Sequence, residues 1–420
     1  MAIRTWQAVA FPTVLAITIT LAGLPAGTRM NLGACSLAAG VAAFTLMATS
    51  ALLGSRWGWV ERVLGGLDKV YATHKWLGIW ALVLASVHLV FKPGANGWLL
   101  APMLELAPFW TRFLRQLSYV VLVFIVLLAL NRRIPYSVWR WWHKLSGPLF
   151  LVVVAHWLSI KSPVTLSSPT GLWLAGWSAM GVAGALYKLL LYPLLARHSE
   201  YELVKAAHGP AGLHLTFVPV ERPIAFKPGQ FGFLCMKHDG LREPHPFTLA
   251  SPADGHRVDL MVRALGDYTA RLVAEARPGM RADIYAPHGH FSRPRGSRCE
   301  VWIAGGVGIS PFIAWMQDAQ AGGFDTATLF YCFTPGRAFP PPGNVDAMAG
   351  QCGIRLIQVK QGPDDPALAQ GIEALCRTHG PDAVDIAFCG PAGLLDTVRG
   401  IMHHQGIPKG NLRHELFDFR

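Results

Sequence analysis

Four histidines stand in the apolar first half of the chain, where ionisable side chains are costly and uncommon. They are His74, His88, His143 and His156, and no other histidine precedes His198. A lone histidine in such a segment is about as often a hydrogen-bonding partner between helices as a metal ligand. Two pairs on two helices shift that balance, because facing imidazoles supply both axial ligands of a haem iron. Such ligation leaves no open position on the iron, so the pattern predicts haems that transfer electrons rather than bind oxygen.

The spacing of these histidines decides how the pairs can face each other. His74 and His88 are fourteen residues apart, which is nearly a whole number of helical turns, so both rings point toward the same neighbouring helix. His143 and His156 are thirteen residues apart, which on an ideal helix misphases the rings by roughly 140°. Pro148 lies between them, removes a backbone hydrogen bond and shifts the helical phase of the residues after it. We therefore expect one haem level at His74 and His143, and a second level at the other two histidines.

A second set of chemically useful residues lies far along the chain. The tetrapeptide HPFT comprises His245, Pro246, Phe247 and Thr248. Arg263 follows this histidine by eighteen residues, and Thr269 stands near the start of a predicted helix. A guanidinium group and the N-terminal amides of a helix are both suited to a pyrophosphate. The structural alternative is a surface cation and a helix cap.

A glycine-rich turn follows in the sequence GGVGISPF over 305–312, after an apolar run and before a predicted helix. The backbone amides of such a turn approach a dinucleotide phosphate without obstruction by side chains. Its key residues are Gly306, Gly308 and Pro311. The strand end FCGP, with Cys389 and Gly390, is expected at the carboxyl edge of the same sheet, where ligands bind in such folds. Taken alone, glycine-rich turns are common and Cys389 is better interpreted as a buried structural cysteine.

The elements that position these residues divide the chain into an apolar half and an ordinary half. Mean hydropathy is +0.33 and only 15% of the residues are charged, which is too apolar for a soluble enzyme. Before Arg197 the acidic residues are only Glu61, Asp68 and Glu105. Apolar stretches long enough to cross a bilayer occur near 8–24, 32–53, 70–91, 113–131, 138–160 and 170–195. We therefore predict six transmembrane helices, with the histidines on the third and the fifth.

Charge and cysteine content limit the possible functions and the location of the protein. The net charge is +12, but no basic run alternates with exposed aromatic residues, which argues against nucleic-acid binding. The loops on the same side of the membrane as the N-terminus carry slightly more Lys and Arg than those on the other side. We therefore expect the second half of the chain in the cytoplasm and the spans in the cytoplasmic membrane. The segment up to Leu24 resembles a signal peptide with a poor cleavage site, and we expect it to be retained as the first span. Seven cysteines without a CxxC pair argue against disulfides, zinc and iron–sulfur clusters.

The pattern changes from Tyr201 onward to short alternating runs with Gly and Pro between them. Runs such as 214–220 and 256–265 predict an antiparallel β-barrel that ends near Gly296. Further apolar runs, at 299–306, 327–333, 353–359 and 384–391, are separated by segments of helical length, which is typical of an open α/β sheet. The predicted domains are therefore a six-helix transmembrane haem bundle over 1–197, a barrel over 198–296 and an α/β domain over 297–420.

Six spans with the two histidine pairs, followed by HPFT, GGVGISPF and FCGP, resemble the ferric reductase and NADPH oxidase family. The resemblance covers nearly the whole chain, and the compact length is similar to that of the bacterial oxidase-like members. It implies two b-type haems in the membrane bundle, an FAD-binding barrel and an NAD(P)-binding α/β domain. The path that it implies is hydride transfer from NAD(P)H to the flavin, then single electrons to the inner and outer haems.

The same resemblance assigns residues to each cofactor. It implies FAD contacts by His245, Pro246, Phe247, Thr248, Arg263 and Thr269. It implies NAD(P)H contacts by Gly306, Gly308, Pro311, Cys389 and Gly390. The expected catalytic residues are Cys389 and a C-terminal aromatic residue against the isoalloxazine, Phe419 in preference to Phe417.

The nucleotide and the electron acceptor stay open. Superoxide-producing members carry a further histidine one turn past the outer ligand, where this chain has Lys92, so the outer acceptor is either a ferric chelate or O₂. Lys92, Arg112 and Arg115 are suited to attract an anionic chelate or to anchor lipid. NADPH is only slightly favoured over NADH, because Thr334 occupies the expected arginine position and Arg337 follows slightly later. A quinone or periplasmic redox protein is a further acceptor, and a non-catalytic membrane scaffold is disfavoured by the flavin and nucleotide motifs.

Overall fold

The computed structural model describes residues 3–94, 96–131, 133–209, 212–294, 296–318, 322–360, 362 and 365–415. The chain divides into two compact units, the first ending at Ala196 and the second beginning at Arg197. The first unit is helical. The second contains two β-sheets, one after the other along the chain.

The first unit is built from apolar helices. In chain order they are α1 (Thr5–Ala22), α2 (Leu32–Gly54), α3 (Gly58–Leu64), α4 (Leu67–Val90), α5 (Pro108–Leu130), α6 (Tyr136–His143), α7 (Ser146–Ser159), α8 (Pro169–Leu186) and α9 (Tyr192–Leu195). A π-helical segment, Tyr187–Leu191, joins the last two. Five helices are long and apolar enough to cross a membrane: α1, α2, α4, α5 and the continuous run Pro169–Leu195. The expectation of a multi-pass membrane unit is therefore confirmed.

The predicted span over 138–160 is not one helix, and here the expectation of six long helices needs correction. Helix α6 ends at His143 and α7 begins at Ser146. Pro148 lies in the first turn of α7 and lacks the N–H that would bond to the carbonyl of Lys144. Lys144 and Leu145 instead donate to carbonyls three residues earlier, and the regular pattern resumes where Leu149 donates to Leu145 over 2.8 Å. The proline therefore divides this segment, and its two histidines lie on separate helices.

Helix α2 forms the centre of the bundle. Within its apolar window 72% of the residues are buried, against 22% or less in the other spans. It packs against α1, α4, α7 and α8. Its sequence is rich in Gly, Ala and Ser, which let neighbouring backbones approach closely. At Gly184 of α8, for example, a Cβ would lie 3.1 Å from the Ala51 carbonyl oxygen.

The first sheet of the second unit is antiparallel. Its strands are β1 (His198–Gly209), β2 (Gly212–Pro219), β3 (Phe231–Met236), β4 (His245–Thr248), β5 (Val258–Val262) and β6 (Arg281–His288), in the spatial order β4-β3-β6-β1-β2-β5. The edge strands approach each other, since the Ala250 amide donates to the Asp259 carbonyl over 2.8 Å. Helix α10 (Asp267–Glu275) lies between β5 and β6 in the chain. The predicted barrel strands at 214–220 and 256–265 are confirmed.

The second sheet is parallel. Its elements are β7 (Cys299–Gly305), α11 (Ser310–Met316), β8 (Ala327–Cys332), α12 (Pro342–Gln351), β9 (Arg355–Val359), α13 (Pro366–His379), β10 (Val384–Cys389), α14 (Ala392–Gln405) and β11 (Leu412–Glu415). The spatial order is β11-β10-β7-β8-β9, so the strand order reverses beside β7. Ligands bind such sheets outside the carboxyl ends of the strands at this reversal. All four predicted α/β strands are confirmed, and the reversal point lies between the glycine-rich turn and the FCGP strand end.

Candidate functional site

His74 of α4 is held by α2. Its Nδ1 lies 3.0 Å from the Ser50 carbonyl oxygen and 3.0 Å from the Ser50 hydroxyl. A carbonyl oxygen only accepts, so Nδ1 carries the proton and donates it. The other ring nitrogen, Nε2, is then the one with a lone pair for a metal.

His88 is held in the same way one level further along α4. Its Nδ1 donates to the Ser36 carbonyl oxygen over 2.9 Å. The Ser36 hydroxyl donates to the His88 carbonyl oxygen over 3.2 Å and lies 3.4 Å from Nδ1. Both histidines of α4 thus present Nε2 away from α2.

His143 lies beside His74. The two ring centroids are 5.8 Å apart and the ring planes are inclined by 71°. On its other side, Trp139 stacks on His143 with centroids 5.1 Å apart. A metal held axially between two imidazoles lies roughly 2 Å from each nitrogen, which corresponds to ring centroids about 6 Å apart. The observed separation therefore suits one metal ion shared by these two rings.

His156 lies on α7, within electrostatic range of His88 and of Arg115. Among the described residues no ring contact joins His156 to His88. The Nδ1 atoms of His143 and His156 are both buried and have no hydrogen-bond partner in the parts of the chain that the structure describes. The two histidines of α4 are therefore anchored through Nδ1, whereas those of α6 and α7 are not.

The facing rings of His74 and His143 fit a bis-histidine haem site. The donor set is imidazole only, and no group of three or more His, Cys, Asp or Glu that suits another metal occurs among the described residues. A second ring nitrogen bound to a backbone carbonyl is the usual arrangement for a metal-ligating histidine. The residues that would hold the irons are the four predicted ones.

The HPFT segment is β4, an edge strand of the barrel. It pairs with β3, with Thr248 opposite Phe231 and Pro246 opposite Phe233. Proline is tolerated here because an edge strand need not donate every amide. All four side chains are half-buried, as expected for residues that contact a ligand at the barrel surface.

Tyr268 stacks on His245 of this segment. Their ring centroids are 3.6 Å apart and the planes differ by 17°. The Tyr268 hydroxyl donates to the Leu241 carbonyl oxygen over 3.2 Å, which fixes the ring, and burial raises the pKa of this phenol. The stack holds the first residue of HPFT in one orientation.

Arg263 follows β5, and its guanidinium lies beside the glycine-rich turn. A Cβ added at Gly306 would lie 3.7 Å from Arg263 Nη1. Arg263 forms no hydrogen bond or ion pair with the described residues. Its charge is therefore available to an anion at the edge shared by the barrel and the parallel sheet, and a pyrophosphate fits this position.

Thr269 has a local structural role. Its Oγ1 accepts hydrogen bonds from the amides of Leu265 and Gly266 over 3.0 and 3.1 Å, and it donates to the Gly266 carbonyl oxygen. The hydroxyl thus closes the loop before α10. The contact of Thr269 with FAD stays a prediction.

The glycine-rich turn and the FCGP strand end are in backbone contact. A Cβ on Gly308 would overlap the Cys389 carbonyl oxygen, and a Cβ on Gly390 would lie 3.1 Å from Gly305 Cα. Gly306 has φ +57°, in the region that favours glycine. Pro311 is the second residue of α11, where proline is readily accommodated. Cys389 is 2% exposed, and its burial raises the pKa of the thiol.

The two C-terminal aromatic candidates, Phe419 and Phe417, lie outside the described residues. Arg337 is exposed just after β8, where its amide donates to the Thr334 carbonyl oxygen over 3.0 Å. The close backbone contacts described above bring the predicted nucleotide residues Gly306, Gly308 and Gly390 together with Cys389 at one edge of the sheet.

Two known protein families match segments of this chain, one in each half. Residues 39–154 match the family described as ferric reductase like transmembrane component, and residues 209–294 match an FAD-binding domain family. The first match includes His74, His88 and His143, and the second includes HPFT and Arg263. The chain therefore contains one segment similar to the ferric reductase like transmembrane component and a later segment similar to an FAD-binding domain. The predicted resemblance to the ferric reductase and NADPH oxidase family is thereby confirmed.

Curated proteins are similar to parts of this chain. A flavohemoprotein of Pseudomonas putida is 26% identical over 212 residues, covering 48% of this chain and 54% of the relative. Dual oxidase 2 of Sus scrofa is 26% identical over 304 residues, covering 60% of this chain and 18% of the relative. The ferredoxin–NAD(+) reductase component of the alkene monooxygenase system of Xanthobacter autotrophicus is 28% identical over 243 residues, covering 54% of this chain and 72% of the relative. The chain therefore spans about half of the flavohemoprotein and less than a fifth of the dual oxidase.

Sequence reasoning missed Ser36, Ser50 and Tyr268. The two serines were detectable, because they are fourteen residues apart, the same spacing as His74 and His88. No comparable signal marks Tyr268, whose stacking partner lies on a different element of the fold.

Proposed function

We propose that the chain is a transmembrane oxidoreductase that moves electrons from cytosolic NAD(P)H through FAD and two bis-histidine b-type haems to an acceptor outside the cytoplasmic membrane. When bound, the flavin would accept a hydride and release single electrons, and the haem irons would carry those electrons across the apolar bundle. The acceptor is a ferric chelate or O₂. The second unit then lies on the cytoplasmic side.

The pairing of His74 with His143 carries this proposal. Two imidazoles 5.8 Å apart inside an apolar bundle are costly unless they bind something, and His74 is oriented with Nε2 toward its partner. If both histidines bound one haem iron, they would leave it no open position, and the haem would supply electron transfer rather than chemistry at the metal.

The second unit provides residues for the two-electron donor. Arg263 offers an available guanidinium beside Gly306, suited to the FAD pyrophosphate. Gly308 and Gly390 remove side chains at the carboxyl edge of the parallel sheet, where a dinucleotide can approach the backbone. Cys389 is the last residue of β10 at the same edge, and its side chain is buried. Arg337 is a candidate contact for the 2′-phosphate of NADPH.

Arg115 favours an anionic acceptor at the second histidine level. It is exposed on α5 and lies within electrostatic range of His156. A cation beside an electron-donating site raises the local concentration of anions such as ferric citrate. This observation supports the ferric chelate among the possible acceptors.

Anaerobic spectroscopy of the purified full chain tests the electron path. We expect a haem Soret band that shifts to its reduced position when NADPH and FAD are added. A preparation with no haem band, or with a band that NADPH leaves unchanged, would contradict the proposal. Comparing NADPH with NADH in the same assay identifies the donor.

The acceptor requires a second measurement. Reduction rates of ferric citrate and of O₂ are compared in one haem-loaded preparation, with superoxide dismutase present. Direct iron reduction persists with the dismutase, whereas iron reduction through superoxide is lost. Failure with both acceptors would direct attention to quinones or periplasmic redox proteins.

A further inference from the structure

A short sequence pattern occurs twice on α2, and each copy contacts one histidine of α4. The first copy is Ser36 with Gly40, and the second is Ser50 with Gly54. In each, a serine is followed four residues later by a glycine, and the copies are fourteen residues apart.

The geometry explains why serine and glycine occur together. In an α-helix the carbonyl of residue i points toward residue i+4, so a side chain at i+4 hinders access to that carbonyl. At Gly40 a Cβ would lie 2.6 Å from His88 Nδ1 and 2.9 Å from His88 Cε1. The ring of His88 therefore reaches the Ser36 carbonyl oxygen, at 2.9 Å, only because residue 40 has no side chain.

The second copy is looser. A Cβ at Gly54 would lie 3.9 Å from His74 Cε1, which is an ordinary van der Waals contact. The Ser50 carbonyl and hydroxyl oxygens nevertheless both lie 3.0 Å from His74 Nδ1. The two copies thus make the same hydrogen bond with different steric tolerance.

We propose that α2 positions two haem ligands through these two serine–glycine pairs. Each pair binds the Nδ1–H of one α4 histidine, which keeps the proton on Nδ1, sets the ring orientation and directs Nε2 to the iron. The equal spacing on the two helices holds both levels in register. This inference rests on the proposed haem-binding function and extends it to residues outside the metal ligands.

The histidines on the opposite side differ. Nδ1 of His143 and of His156 is buried without a hydrogen-bond partner among the described residues. Each haem is therefore expected to have one anchored ligand, on α4, and one unanchored ligand, on α6 or α7. The anchored ligand determines the geometry of the site.

The test compares three Gly→Ala variants of the full chain, Gly40→Ala, Gly54→Ala and Gly176→Ala. Gly176 lies on α8, which carries no predicted haem ligand, and a Cβ there would meet no described residue within 4 Å, so it controls for a glycine replaced within a membrane helix. Readouts are haem per protein and the low-spin ferric EPR spectrum, which reports ligand orientation. FAD content and a single size-exclusion peak in detergent verify folding.

We expect Gly40→Ala to lose the haem at His88, so that haem per protein falls from two to one and one EPR signal disappears. Gly54→Ala and Gly176→Ala should retain both haems. Loss of the hydrogen bond to the second ring nitrogen of a metal-binding histidine weakens metal binding by about 10- to 100-fold. Retention of two haems with unchanged EPR signals in Gly40→Ala would overturn the inference, and so would equal losses in Gly40→Ala and Gly54→Ala. Wild-type protein without haem would instead defeat the proposed function.

If Gly40→Ala fails the folding checks, Ser36→Ala tests the proposed positioning of His88 instead. This variant removes the hydroxyl near His88 but keeps the backbone carbonyl, so both haems should remain while the EPR signal of one shifts. Ser178→Ala is the matched control, because the Ser178 hydroxyl donates only to the Leu174 carbonyl of its own helix, over 2.7 Å. Identical spectra for Ser36→Ala, Ser178→Ala and the wild type would contradict a positioning role for Ser36.

Discussion

Gly308 and Cys389 meet at the carboxyl edge of the parallel sheet so closely that residue 308 has no room for a side chain. A Cβ on Gly308 would overlap the Cys389 carbonyl oxygen, an atom of the strand backbone that cannot rotate away. The glycine-rich turn and the end of β10 are therefore in direct backbone contact at the reversal of strand order. A dinucleotide bound at this edge would contact both segments.

Gly308→Ala should therefore impair NAD(P)H use more than FAD binding. The added methyl group forces the turn away from β10, and we expect flavin reduction by NADPH to slow by at least 10-fold, a loss of about 1.4 kcal/mol or more. Stopped-flow absorbance of the flavin under anaerobic conditions measures this rate. Gly400→Ala is the control, since a Cβ at this position on α14 meets nothing within 4 Å. Equal rates in the two variants would show that the close approach is not required.

Arg263→Gln should weaken FAD binding. A charge-assisted hydrogen bond contributes about 1.5–3 kcal/mol, so the dissociation constant for FAD should rise roughly 10- to 100-fold. The recovery of flavin fluorescence on dilution measures this constant. Arg271→Gln serves as control, because Arg271 forms an exposed ion pair with Glu275 on α10, and such pairs contribute little. If both variants bind FAD like the wild type, Arg263 does not contact the pyrophosphate.

Much of the second unit was predictable because its patterns are local. The apolar runs that became β7 and β10 are bounded by glycine and proline, and their short length distinguishes strands from helices. In the membrane unit, the fourteen-residue spacing of His74 and His88 placed both on one face of α4 without further information.

The rest depended on contacts between distant residues. Pro148 predicted a change of phase, but where the chain would break, after His143, depends on how α6 and α7 pack. The Nδ1 partners of His74 and His88 were missed, because a backbone carbonyl acceptor leaves no mark in residue type. The signals that the sequence does carry are the fourteen-residue spacing of Ser36 and Ser50 and the glycine that exposes such a carbonyl, as at Gly40.

His156→Leu should abolish outward electron transfer without affecting reduction of the flavin. We expect haem per protein to fall from two to one and outward reduction of ferric citrate to be lost. Flavin reduction by NADPH should remain within about 2-fold of the wild type, because substitution at a membrane helix leaves the second unit unchanged. Haem is quantified by its absorbance after extraction, and flavin reduction in the same sample is the internal control. Retained ferric citrate reduction would contradict a required second haem.

Asp259 links the stability of the second unit to pH. This carboxylate is 5% exposed. Burial alone would raise its pKa, but the nearby polar groups of His214, Thr216 and Arg257 outweigh burial and hold the pKa below the ordinary value of 3.8. The Arg257 Nε lies 2.8 Å from the carboxylate.

A depressed carboxyl pKa stabilises the folded protein above the unfolded value, and this contribution is lost as pH falls through the folded value. Asp259→Asn should therefore reduce the free energy of unfolding at neutral pH by roughly 1.5–3 kcal/mol, because it removes the charge-assisted hydrogen bond between the half-exposed Arg257 and the buried carboxylate. The difference from the wild type should narrow as pH falls below about 4. Denaturant titration of the full chain, followed by the fluorescence of released FAD, reports on this unit. Asp396→Asn is the control, since Asp396 is 74% exposed and pairs with Arg399 at the surface. A difference that stays constant with pH, or one that Asp396→Asn reproduces, would show that the buried carboxylate is not the source of the pH dependence.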